Sequence, residues 1–386
     1  MPPRPLLVHC TNGYPLAGDG AGEVLAALSE HAAGVRERAA GGAVLPLGLY
    51  LPAVAAERLV RGEKIRGFRE TLGALGLEVR TLNGFPHGSF HTPGGGGDRL
   101  GVYRPAWDDR RRVDQTLHLA AVLAELLPAR VGRASISTLP VGWHADRVDL
   151  AAAGGHLREV AVHLRQLKER TGVHLTLDLE PEPGCVLGSA AGAVAFLEPL
   201  LGGEAEREHL GVCHDVCHAA VVFDGQAEAL GAYRAAGIRV NKVQVSNAPE
   251  VVFEGMDPPL ADEAVALLRA LPGDRSLRQT VVRDGGDAFF GDLAEALDAH
   301  PQPGGRWRVH HHLPLTLESL GPMRTTRDAV AGAFADLAAH GEAPILENET
   351  YTWSALPAPL RAGTLAEGLA AELAWTRGEI DRAWAP

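Results

Sequence analysis

The sequence predicts a closed α/β barrel of parallel strands, and three observations carry that expectation. Short β-rich segments alternate with longer Ala/Leu-rich ones along the whole chain, which argues for helical crossovers between parallel strands. Polar residues stand at nearly every C-terminal strand end, where a barrel gathers its chemistry. Finally, the first strand runs into Cys10-Thr11-Asn12-Gly13-Tyr14-Pro15, which is not the Gly-rich phosphate loop of an open doubly wound sheet. The glycine run Gly94 to Gly97 follows no strand and reads as a loop.

Strand segments are expected at residues 6–12, 45–51, 77–83, 134–139, 174–180, 210–215, 242–246, 307–313 and 345–349. Helices are expected at 22–38, 64–75, 110–127, 156–170, 326–340 and 364–375. Nine strand segments are one more than an eight-stranded barrel needs, so one is an extra strand or belongs to an insertion. Residues 1–386 read as a single barrel domain, because large α/β barrels exceed the usual domain size.

Composition narrows the function. A hydrophobic share of 46% with only 5% aromatics suits many short strands under Ala/Leu-rich helices. The excess of 48 acidic over 36 basic residues gives a net charge of −12, which repels phosphate backbones and disfavours nucleic acid as a partner. The longest basic run, Arg110 to Arg112, opens a helical stretch. No signal peptide and no membrane-length apolar run is evident, and the four cysteines are too few for a disulfide scaffold. A cytoplasmic protein with reduced thiols is expected.

The fifth strand segment ends Asp178-Leu179-Glu180-Pro181-Glu182, and alternation puts Asp178, Glu180 and Glu182 on one side. Acids aimed into a barrel mouth need a cation to offset desolvation; a solvated loop is the alternative for Glu180 and Glu182. The sixth ends Cys213-His214-Asp215-Val216-Cys217-His218. If a helix starts after Asp215, His218 lies one turn on and on the same side, an oxygen–nitrogen pair suited to zinc, manganese or cobalt. A structural zinc site at Cys185, Cys213 and Cys217 is the rival, weakened by its loose CxxxC spacing.

In the segment Arg308-Val309-His310-His311-His312, alternation sends His310 and His312 to one side and His311 to the other. Hydrogen-bonded core imidazoles are the alternative to ligands. The final strand segment places Glu347 and Glu349 on one side, with Glu349 nearer the mouth. In the seventh, Lys242, Gln244 and Ser246 share a face, and Gln244 is suited to a weak metal contact or to a substrate hydroxyl.

At these residues the chain resembles the xylose-isomerase-like barrel superfamily of sugar isomerases, ketose epimerases and endonuclease IV. The Glu-Pro after the fifth strand, the Asp-x-x-His after the sixth and the terminal Glu-Thr match its ligand positions. The resemblance implies Glu180, Asp215 and Glu349 as metal ligands, with His218 close behind. A closer resemblance is to the metabolite-traffic protein EboE family within that superfamily. It rests on CTNGYP (10–15), TLNGFPHGSFH (81–91), SISTLPVGW (135–143), LEPEPGCVL (179–187) and VCHDVCHAAV (212–221). It continues through KVQVSNA (242–248), RVHHHLPL (308–315), GPMRTTRD (321–328) and ENETYTW (347–353).

Three positions depart from the pattern. Sugar epimerases place a histidine ligand on the seventh strand, where this chain has Gln244, so either glutamine substitutes or His310 or His312 takes that role. His214 and His311 stand where an aromatic is usual, and Gly188-Ser189 replaces a Glu-Thr.

The resemblance implies a metal-dependent isomerase or epimerase acting on a small polyhydroxylated metabolite, a sugar or cyclitol, in a gene cluster for secondary-metabolite precursors. Glu180 or Glu349 would move the proton beside a metal-polarised carbonyl. Asn12, Asn83, His87, His91, Trp143, Glu182 and Glu347 are the candidate substrate contacts, with Asn12 and Asn83 equally readable as turn residues. A non-catalytic binding or traffic component that keeps the barrel is the alternative, since fold does not fix function. A phosphodiesterase acting on abasic DNA is disfavoured by the acidity.

Overall fold

Strand residues with alternating character divide between two surroundings: Leu175, Leu177 and Leu179 turn outward into an apolar shell, while Thr176 and Asp178 turn inward and bond to each other. Repeated around the chain, this alternation closes a barrel in the computed structural model, which describes residues 3–62, 64–88, 99–273, 277–353, 356, 361 and 363–385. The first seven strands are β1 (Leu6–Cys10), β2 (Leu45–Tyr50), β3 (Leu77–Asn83), β4 (Arg133–Thr138), β5 (His174–Leu179), β6 (Leu210–Asp215) and β7 (Val240–Val245).

Six further strands precede the last barrel strand: β8 (Pro249–Val252), β9 (Thr280–Arg283), β10 (Asp287–Phe290), β11 (Arg306–Val309), β12 (Ser319–Leu320) and β13 (Met323–Thr325), before β14 (Ile345–Asn348). The barrel order is β1-β14-β7-β6-β5-β4-β3-β2, all parallel, so the expected eight-stranded closed barrel is present.

The extra strand segment at 307–313 is β11, and it belongs to an antiparallel sheet of order β10-β9-β11-β8-β13-β12 inserted between β7 and β14. The sequence showed one surplus strand where the insertion has six. Strands of two to four residues are too short to display a period-2 pattern. The insertion carries its own apolar cluster, including Val251, Leu268, Val282, Trp307 and Met323, apart from the large cluster between barrel and helices.

The barrel interior is polar rather than filled with branched apolar side chains. Near its lower end Asp178 accepts from Ser135, Thr176 and Asn241. Above it, Lys242 and Glu347 form an ion pair with both side chains fully buried. Burial alone would lower the Lys242 ammonium, but Glu347 outweighs it and holds the group above lysine's usual value. Asn83 bridges the pair, donating to Glu347 at 2.8 Å and accepting from Lys242 at 2.6 Å. Gly48 on β2 leaves room for this carboxylate, since a Cβ there would stand 1.6 Å from Glu347 Oε1.

Arg112, from the basic run, is buried rather than part of a surface patch. It donates to the carbonyls of Gly84, Phe85 and Pro105, tying down the loops beside the mouth. Among the described residues, no helix is long and apolar enough to cross a membrane. All four cysteines are buried free thiols.

Candidate metal centre

The C-terminal mouth is built by short turns that leave each strand with a polar residue aimed inward. After β6 the chain turns directly into the helix Val216–Val221, with Asp215 as its N-cap accepting from His218 N at 2.9 Å. That turn brings His218 to the same side, with its Nε2 3.7 Å from Asp215 Oδ2. Ser246, just beyond β7, donates to the other Asp215 oxygen at 2.8 Å. Asp215 Oδ2 is left buried without a hydrogen-bond partner among the described residues.

Glu180, Asp215 and Glu349 present carboxylate oxygens that all lie within 4.8 Å of one another. Burial, then Glu349 and Asp215, push the Glu180 carboxyl far above the usual carboxylate range. Burial, then Asp215 and Glu347, do the same to Glu349, which Asn12 fixes by donating to its Oε1 at 2.5 Å. Burial would also raise Asp215, but the facing His218 and His312 outweigh it and hold it low. Three buried acids this close are mutually destabilising unless a cation lies among them.

The insertion supplies further imidazoles beside His218. β11 stops at Val309, so the three histidines follow the strand rather than extend it. Alternation nonetheless persists. His310 and His312 turn to one side with rings 5.6 Å apart, and His311 turns away with both ring nitrogens unpartnered among the described residues.

His218 Nδ1 lies 2.9 Å from the Pro181 carbonyl, His310 Nδ1 2.9 Å from Gln279 Oε1, and His312 Nδ1 2.7 Å from the Glu349 carbonyl. Each acceptor requires the Nδ1–H tautomer, which leaves all three Nε2 lone pairs facing the mouth, the arrangement that orients metal-binding histidines. Buried His312 Nε2 has no hydrogen-bond partner among the described residues and lies 3.8 Å from Asp215 Oδ2. Oxygen and imidazole donors with two orphaned buried atoms fit a divalent ion.

Gln244 pairs in register with both Asp215 on β6 and Glu347 on β14 and donates to Asn83 at 3.3 Å, while its Oε1 is buried without a hydrogen-bond partner among the described residues. The cysteines do not come together: among the described residues no metal-capable group contains two thiols, although Cys217 lies near His310 and His312.

A cavity of about 110 Å³ opens over the centre, and Asn12, Asn83 and Glu182 line it with Glu180, His218 and Glu349. Glu347 lies beneath it in the ion pair, and Trp143 behind it, its ring 5.0 Å from Tyr103 and packed over Gly184 at φ +83°. His87 is partly exposed and does not line the cavity; its pKa is lowered by burial and by Arg112 and Arg111. His91 lies outside the described residues.

Sequence reasoning did not single out Tyr103 and Gln279. The Tyr103 hydroxyl donates to Glu182 Oε1 at 2.7 Å, and Gln279 Nε2 donates to the same oxygen at 3.0 Å. A lone tyrosine in a single 3-10 turn and a lone glutamine before β9 give no pattern to find.

No family model matches the chain, and no curated protein matches its sequence. Among solved structures, the chain is similar to a xylose isomerase-like TIM-barrel protein from Mycobacterium smegmatis in complex with magnesium, at 14% identity, TM-score 0.54 and coverage of 99% and 98% of the two chains. It is also similar to a D-tagatose 3-epimerase-like protein at 10% identity and TM-score 0.50, covering 98% of each chain. At this identity the likeness is one of architecture: the chain has the fold of the xylose isomerase-like TIM-barrel proteins.

Proposed function

We propose that the protein is a divalent-metal-dependent isomerase or epimerase acting on a small polyhydroxylated metabolite, a sugar or a cyclitol. The observation that carries this reading is the Glu180–Asp215–Glu349 carboxylate group, with oxygens within 4.8 Å, beneath a cavity that Asn12, Asn83, Ser137 and Gln279 line together with Glu182, Arg99 and apolar side chains. Glu180, Asp215, Glu349 and His312 would hold the ion, whether zinc, manganese or cobalt, with His218 and His310 beside it. A bound ion supplies Lewis acidity toward a substrate carbonyl or hydroxyl.

The chain's own groups do the rest. Glu180, after β5, and Glu349, after β14, would take a proton from a C–H beside the carbonyl and return it. Asn12 holds the Glu349 carboxylate in one orientation, while Asn83 and Ser137 present donors and acceptors to hydroxyls. Phe85, Val102 and Leu277 give the cavity an apolar wall.

The resemblance of its motifs to those of the EboE family extends the proposal to a cytoplasmic role among the products of one secondary-metabolite gene cluster. The net charge of −12 and an acid-lined mouth argue against nucleic acid as substrate.

The test is proton exchange in heavy water. Metal-loaded protein incubated with candidate sugars and cyclitols should introduce solvent deuterium at one carbon, and Asp215→Ala should abolish both the exchange and the metal. Tight binding of such a compound with no exchange would replace this reading by that of a carrier.

A further inference from the structure

We propose that the lower opening of the barrel, at the end opposite the metal centre, binds the phosphate or carboxylate group of a small metabolite between Arg133 and Arg239. A cavity of about 490 Å³ lies there, among the N-terminal ends of β4, β5, β7 and β14, and its size suits a small molecule. Arg133 opens β4 and Arg239 stands immediately before β7, and both line the cavity together with buried Ser135, Thr176 and Asn241.

The charges around this cavity do not cancel. Arg234, which also lines it, is neutralised by Asp336 at 2.7 Å and Glu342 at 3.1 Å. Arg133 donates to Asn241 Oδ1, and Arg239 to the carbonyls of Arg207 and Glu208, all neutral acceptors. Among the described residues neither of these two arginines forms an ion pair, and Arg239 Nε is buried with no hydrogen-bond partner.

The nearby carboxylates are already engaged. Lys168 pairs with Glu208, and Asp178 accepts from Ser135, Thr176 and Asn241. Burial, then Arg133, lower the Arg239 guanidinium below arginine's usual value, as two like charges beside one cavity must. In a chain of net charge −12 this is a local excess of positive charge, which an oxyanion would relieve. Two guanidinium forks match the paired oxygens of a phosphate or a carboxylate.

A cation does not fit this end of the barrel. His174, Glu208 and His209 hold ligand atoms within 4.8 Å of one another, but Lys168 has taken the one carboxylate of that group. Burial keeps both imidazoles below their usual value, and the positive charges of Arg133, Lys168 and Arg239 add to that.

The competing account is a pair of solvated arginines that hold nothing. Calorimetry of metal-loaded protein with inorganic phosphate and with malonate, at low ionic strength, separates the two. Saturable binding of one anion per chain is expected; phosphate alone would identify a phosphoryl ligand, and malonate alone a carboxylate. Arg133→Gln and Arg239→Gln should each weaken binding by about 10–100-fold, the loss expected for a hydrogen bond to a charged group. Arg269→Gln, on the exposed face of helix 258–270 of the insertion, should change nothing. Asp215→Ala, which removes the metal from the mouth, should leave anion binding in place.

Melting curves confirm that the variants fold, and because Arg133 is exposed, Arg133→Gln carries the test should Arg239→Gln fail to fold. No saturable binding of either anion, or binding that the arginine variants leave unchanged, would overturn the site. Binding lost in Asp215→Ala but kept in the arginine variants would place the anion at the mouth and overturn it equally.

Discussion

Lys242 and Glu347 neutralise each other at the floor of the cavity with no exposure to solvent on either side chain. Removing one partner leaves the other as an uncompensated buried charge. Lys242→Met should therefore lower unfolding free energy by about 3–5 kcal/mol. Adding Glu347→Gln should recover part of that loss. Urea unfolding of both variants checks this, and strict additivity of the two losses would contradict the pairing.

Gly48 faces the same carboxylate across the barrel. A methyl group there would stand 1.6 Å from Glu347 Oε1, forcing the side chain away from Lys242 and Asn83. Gly48→Ala should destabilise by at least the roughly 1–3 kcal/mol typical of overpacking. A thermal midpoint equal to that of the parent would mean that the floor can rearrange freely.

Ser246 acts on the centre through Asp215. It fixes one carboxylate oxygen at 2.8 Å and leaves the other free to bind. Ser246→Ala should keep the metal stoichiometry but weaken affinity by about 10–100-fold, the usual effect of losing a group that orients a ligand. Asp215→Ala should abolish binding at the carboxylate site altogether. Equilibrium dialysis against zinc or manganese reads both, and an affinity unchanged in Ser246→Ala would remove the positioning role.

Glu372, on the C-terminal helix, accepts from Leu315 N and Thr350 Oγ1, and burial pushes its carboxyl up to about 7. A carboxyl raised on folding favours the native state while protonated. That contribution is complete below about pH 4.5 and is lost as pH rises through about 7. Glu372→Gln keeps an acceptor oxygen without the charge. It should exceed the parent in stability at pH 8 by an amount on the order of 3 kcal/mol, with the gap closing by pH 4. A gap that does not change with pH would refute the assignment.

Much of the barrel and part of the mouth were legible in the sequence, for reasons that specific residues display. Asp215 and His218 could be paired because an acid before a helical turn caps it and brings the third residue on to the same side. Glu347 and Glu349 follow the alternation of β14 into two successive layers, one in the floor ion pair and one at the mouth. His310 and His312 kept the sidedness of a strand although β11 ends before them.

Gln244 faced inward as expected, but its partners were not readable. It pairs with both Asp215 and Glu347 and its amide donates to Asn83, while Ser246, two residues on, is the group that donates to Asp215. Tyr103 and Gln279 meet Glu182 across 79 and 97 residues of chain, a relationship that no local spacing encodes.

The antiparallel sheet between β7 and β14 has a consequence for how the molecule assembles. A barrel can close its eight strands and bury its shell before that sheet docks, yet until then it holds carboxylates with no imidazole from the insertion opposite them. An ion shared between Asp215 and His312 would act as a staple across that seam, so ion binding and docking of the sheet become one linked equilibrium. Depleting the ion would then loosen a particular part of the molecule, and amide hydrogen exchange should rise first in β8 to β13 while the barrel strands stay protected.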